Sequence, residues 1–265
     1  MSKGYLMIAM GNDYVLQACL CAISIKKTQS MNNVSIVTSD VVPEKYKYLF
    51  DEIIEVPWHD KNARSFYVTE HRWKNFHITP YDETVVLDTD MLFLNDVSHW
   101  WTYFSRKSIG FVTNVLNYRG RLVENNYYRK TFTANDLPNI YNAFHYFKKD
   151  DVALEYYKVL ENICNNSKEF YKLCVPKLTP SKTSMDVNHA IAVTLTQIED
   201  YKLDNATFTH MKSHVQDWQE SSNNWTNDIP FYIYDDLKVS IGNYQQHGIL
   251  HYTEHDFCKG ALDVC

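Results

Sequence analysis

A chain of 265 residues with 45% hydrophobic and 22% charged side chains has the make-up of a globular protein able to bury a large core in one domain or two. Its formal net charge of −6 argues against an extended nucleic-acid surface, although a local basic patch is compatible with it. No run approaches the roughly 18 apolar residues of a membrane span, and Met1-Ser2-Lys3-Gly4-Tyr5 leads into an apolar strand without signal-peptide features, so a cytoplasmic protein is expected.

Tyr5 to Met10 reads as a first strand and Gly11-Asn12-Asp13 as the loop after it. From Tyr14 to Lys27, Val15, Leu16, Ala18, Cys19, Ala22 and Ile23 recur at helical spacing, with Asp13 as the expected N-cap. Val34 to Thr38 is a second strand, Pro43 to Phe50 a helix, and Ile53 to Val56 a third strand. Tyr67 to Thr79 reads as helical, Ile109 to Val115 and Ile140 to Phe147 as strands, and Asp151 to Asn165 as an amphipathic helix. A further helix runs to Leu195, capped by Ser184 or Asp186, and Phe231 to Tyr234 and Ile249 to Tyr252 are late strands. This alternation predicts an α/β fold, a mostly parallel, doubly wound sheet flanked by helices. The six cysteines show no paired C-x-x-C spacing, which suits reduced thiols.

The chemistry concentrates in Asp82 to Asp96. Val85, Val86 and Leu87 lead into Asp88 and Asp90, and apolar residues resume at Met91. Such a run reads as a strand buried on both faces, where uncompensated carboxylates are costly. Either the pair punctuates a strand end, or the two carboxylates hold one hard divalent cation that also binds phosphate oxygens. In doubly wound sheets ligands bind at the carboxyl ends of strands, which would bring Gly11-Asn12-Asp13, Ser39-Asp40 and Asp88-Thr89-Asp90 to one crevice.

Val-Val-Leu-Asp-Thr-Asp-Met-Leu-Phe-Leu, with Arg72 sixteen positions before Asp88, resembles the glycogenin-like and galactosyltransferase-like, family-eight type glycosyltransferases of the GT-A fold. The resemblance implies one GT-A domain over 1–265, with a nucleotide-binding half at 1–115 and an acceptor half at 116–265. It implies a retaining transfer from a UDP-sugar, with Mn²⁺ or Mg²⁺ as cofactor. The metal ligands would be Asp88, Asp90 and a late histidine, for which His210 and His251 both qualify. His210 keeps the family spacing to Trp218, whereas His251 ends an apolar strand, with Lys259 following it. Gly11, Asn12, Tyr14, Arg72, Asp88, Thr89 and Lys259 would bind the nucleotide, and Arg72, Asn142 and Asp186 would serve the reacting sugar.

The acceptor is a hydroxyl of a glycan, a protein or a hydroxymethylated DNA base. Arg119, Arg121, Arg129 and Lys130, interleaved with tyrosines, are the expected contacts to a phosphate-bearing acceptor such as DNA. A homo-oligomer is compatible with the chain. Two other readings compete: a non-catalytic nucleotide-sugar binding module, suggested by the incomplete late motif, and a nucleotidyltransferase.

Overall fold

The computed structural model describes residues 1–57, 71–123, 129–212 and 224–264. Its centre is a six-stranded sheet in the order β3-β2-β1-β4-β7-β6, made of β1 (Lys3–Ile8), β2 (Val34–Val37), β3 (Glu52–Ile54), β4 (Glu83–Leu87), β6 (Ile109–Val112) and β7 (Tyr141–Lys148). β1 to β4 are mutually parallel, and β7 runs against both β4 and β6. The expected α/β architecture is therefore the one observed. Val85, Val86 and Leu87 are buried, as a strand covered on both faces requires.

The first helix, Asn12–Thr28, is buried from Val15 to Ile25 apart from Leu16, and it packs between β5 (Met91–Phe93) and the last helix, His255–Leu262. On the other face of the sheet, helices Asp151–Asn165 and Met185–Thr196 pack together over Phe111 and Phe147. A second sheet, β5-β12-β8, joins β5 to β12 (Ile249–His251) and β8 (Thr209–His210). A third, β11-β10-β9, is formed by β9 (Phe231–Ile233), β10 (Val239–Ile241) and β11 (Tyr244–Gln245).

Several local expectations change. Asp13 lies in the first turn of its helix, and Gly11 is the N-cap, at φ 105° and ψ 145°. Glycine reaches that conformation without the steric cost of a side chain, and its N–H donates to Asp40 Oδ2 at 2.6 Å. Pro43 to Phe50 forms a short 3₁₀ helix over Glu44–Leu49. The segment predicted as helix over Tyr67 to Thr79 contains a 3₁₀ turn, Arg72–Lys74, and a single α turn, Asn75–Ile78, with residues before 71 outside the described residues. Ser184 flanks its helix without capping it through its side chain, and Asp186 is engaged elsewhere. The described cysteines are free thiols.

Gly4, in β1, sits against the Tyr81 ring, where an added Cβ would lie 2.3 Å from ring carbons. Tyr81 is itself held by a 2.7 Å hydrogen bond to Ser35. Gly4→Ala is expected to destabilise the fold by about 1–3 kcal/mol through overpacking. A urea midpoint equal to that of the wild type would contradict this close approach.

Candidate active site

Asp88 follows the last residue of β4, and its N–H donates to the Ala143 carbonyl of β7 at 2.9 Å. Asp90 immediately precedes β5, and its carbonyl accepts the Tyr252 N–H at 3.1 Å. The break between β4 and β5 is what turns both carboxylates out of the buried run. β12 lies antiparallel to β5, with His251 opposite Met91, and parallel to β8, with His251 opposite His210. The two competing histidines are therefore direct neighbours on adjacent strands, their rings 4.6 Å apart.

His251 is the one that meets the carboxylates. Its Nε2 lies 3.0 Å from Asp90 Oδ1 and 3.9 Å from Asp88 Oδ2. Asp88, Asp90 and His251 offer ligand atoms all within 4.8 Å of one another, a group that does not include His210. His210 instead accepts the Lys212 N–H on its Nδ1 at 3.1 Å. Arg72 Nη2 stands 2.6 Å from Asp88 Oδ1, yet that oxygen has no hydrogen bond of acceptable angle, and His251 Nδ1 is likewise buried without a partner.

Burial alone would raise the Asp90 carboxyl, but the His251 charge and hydrogen bond outweigh it and hold Asp90 below the usual carboxylate range. Burial would likewise lower His251, yet the charge and hydrogen bond of Asp90, reinforced by the charge of Asp88, raise it. A proton on His251 would therefore compensate the charge of the neighbouring carboxylates.

A cavity of about 810 Å³ opens beside this group. Arg72, Asp88, Asn142, Asp186, His210 and His251, all anticipated from sequence, line it. So do Lys182 and Lys212, which the sequence reading left without a role. Lys212 is only two residues past His210, and its charge bears on both Asp90 and His251. The loop through residues 178–184 forms part of the cavity wall.

Other expected residues lie elsewhere. Gly11, Asn12, Tyr14, Thr89 and Lys259 are not among the described lining residues. Tyr14 is half exposed with its ring centroid 5.2 Å from that of His255, Thr89 is buried with its hydroxyl donating to Gln17 at 3.3 Å, and Lys259 is exposed on the last helix. The basic acceptor surface is also redrawn. Arg129 is 6% exposed and ion-paired with Asp186, Arg119 packs over Tyr118, and none of Arg119, Arg121, Arg129 or Lys130 lines the cavity. Residues 124–128 of that segment and Trp218 lie outside the described residues.

No protein-family profile matches the chain, and no curated protein matches it by sequence. Among solved structures, the apo form of the glycosyltransferase GlyE in Streptococcus pneumoniae TIGR4 is similar at a TM-score of 0.44 and 14% identity, over 77% of this chain and 46% of that one. Mouse xyloside xylosyltransferase 1 in its apo form is similar at a TM-score of 0.48 and 9% identity, over 76% of this chain and 84% of that one. Both are glycosyltransferases. The chain spans less than half of the GlyE chain. Identities this low carry no residue role across, so the chemistry rests on the site itself. Among the described residues, no helix is long and apolar enough to cross a membrane.

Proposed function

We propose that the protein is a divalent-metal-dependent glycosyltransferase that transfers a sugar from a UDP-sugar to a hydroxyl acceptor. The observation that carries this reading is the Asp88, Asp90 and His251 group at a large cavity lined by Asp88 and His251 together with Arg72 and Lys212. Two carboxylates and an imidazole whose ligand atoms lie within 4.8 Å of one another fit Mn²⁺ or Mg²⁺. When bound, the ion supplies Lewis-acid stabilisation of the leaving diphosphate. Arg72 and Lys212 place positive charge where phosphate oxygens would lie, and Arg72 has the planar fork suited to holding them. Asn142 and Asp186 face the same cavity and offer hydrogen bonds to sugar hydroxyls.

The test is a panel of nucleotide sugars with Mn²⁺, scored for UDP release with and without chelator. Release that is indifferent to the chelator would remove the metal from the reading. Binding of a UDP-sugar without release or transfer would leave a binding module instead.

A pH dependence follows from His251. Its proton, stabilised by Asp90 and Asp88 in the metal-free protein, must leave before the nitrogen can ligate an ion. Mn²⁺ affinity, titrated calorimetrically, is expected to fall about ten-fold per pH unit below the raised pKa of His251. The same slope in His251→Ala would assign the proton to another group.

A further inference from the structure

Arg129 was expected at the surface and is instead buried and ion-paired with Asp186, which lines the cavity. Its guanidinium lies between the rings of Phe132 and Tyr141, 4.1 and 4.0 Å from their centroids. A planar cation stacks this way on both faces, which an ammonium group does not. Nε donates to Asn139 Oδ1 at 2.7 Å, Nη2 to the Ile140 carbonyl, and Nη1 to Asp186 Oδ2. Asp186 Oδ1 in turn accepts the Asn142 N–H at 2.8 Å.

One side chain thereby ties the start of β7 to the start of the helix Met185–Thr196. The next residue of β7, Ala143, is the one whose carbonyl accepts the Asp88 N–H. Two cavity-lining side chains, Asn142 through its Oδ1 and Thr131 through its Oγ1, are buried and lack hydrogen-bond partners. Buried polar atoms of this kind are costly unless a ligand completes them. Arg129 and Asp186 cancel each other's charge, so Asp186, Asn142 and Thr131 offer neutral or neutralised groups to a cavity that Lys182, Asp88, Arg72 and Lys212 also line.

We infer that Arg129 is a positioning residue that fixes Asp186 and Asn142 to receive the uncharged hydroxyls of the sugar carried by the nucleotide, an inference that rests on the function proposed above. Arg129 itself does not touch the ligand. It neutralises the Asp186 carboxylate and holds it as a hydrogen-bond acceptor.

The experiment compares the affinities of UDP and UDP-glucose, each with Mn²⁺, by calorimetry. Arg129→Lys, which keeps the charge and loses the fork and the stacking, is expected to weaken UDP-glucose about ten-fold while UDP changes less than about two-fold. Asn139→Ala removes only the Nε partner on an exposed residue, so folding is preserved, and it is expected to weaken UDP-glucose about three-fold with UDP unchanged. Should Arg129→Lys fail to fold, Asn139→Ala decides by the same criterion. Equal weakening of both ligands, or no change in either, overturns the positioning role. Wild-type protein that binds neither ligand overturns the functional reading, and the inference with it.

Discussion

Asp90→Ala is expected to lower Mn²⁺-dependent UDP release by about three orders of magnitude, the scale of several kcal/mol of lost charge stabilisation in the transition state. Asp90 is the carboxylate in direct contact with His251 Nε2, so its loss would take away one of the proposed ligands and the charge beside another. His251→Ala is expected to have a comparable effect. His210→Ala is expected to cost about ten-fold, because His210 packs against His251 at a tilt and lies outside the Asp88, Asp90 and His251 group. The three variants, assayed in one series with circular dichroism to confirm folding, rank the residues. A His210 variant as damaged as the His251 variant would move the ligand to β8, and an active Asp90 variant would sink the site altogether.

The second large effect concerns stability. Behind the cavity, His145 of β7 is buried, with Nδ1 3.1 Å from the Asn142 carbonyl and Nε2 3.3 Å from the Tyr157 hydroxyl. Burial lowers its pKa from the ordinary 6.5 to about 4. His189, its ring 5.0 Å away, is lowered further in the same direction by burial and by the His145 charge. Above pH 6.5 both the folded and the unfolded chain keep these rings neutral, and the shift contributes nothing. As pH falls from 6.5 towards 4 the unfolded chain takes up protons that the native rings refuse, so stability is lost across that window. The His145 share alone comes to about 2–3 kcal/mol between pH 7 and pH 4.5, from the size of its shift. Urea unfolding at the two pH values measures it. His145→Phe, which keeps a ring stacked on Phe111, is expected to reduce the loss by that amount, and an undiminished loss would place the acid sensitivity elsewhere.

The parts of the fold and site that were legible in the sequence are those written in short, contiguous patterns. The parallel βα alternation showed because each strand is a run of apolar residues bounded by polar loops. Asp88 and Asp90 showed because charge interrupts a buried run. The choice between His210 and His251 was left open, since one kept the spacing to Trp218 and the other ended an apolar strand, and strand pairing makes them neighbours while only His251 meets the carboxylates. Lys212 and the 178–184 loop carry no local signature, and tertiary folding alone brings them to the cavity. Arg129 misled in the opposite direction. A basic residue in a polar stretch reads as solvated, and nothing within that stretch announces the distant carboxylate that draws it inward. Asp186, read as either a site residue or a helix cap, lies in the first turn of its helix, and its side chain meets Arg129 and the Asn142 N–H.

The strand that bears His251 is the middle one of β5-β12-β8, and the last of the three to be made. Synthesis delivers β5 and β8 before β12, and in the folded sheet each pairs with β12 and not with the other. Until then both strands keep open edges, the hazard that invites pairing with foreign chains. Closure requires contacts between distant parts of the polypeptide, the slow kind in folding. Two carboxylates thus wait through most of synthesis for their imidazole. Insertion of one three-residue strand brings His251 to both carboxylates, so, on the function proposed above, acquisition of metal affinity would serve as a clock for that step of folding.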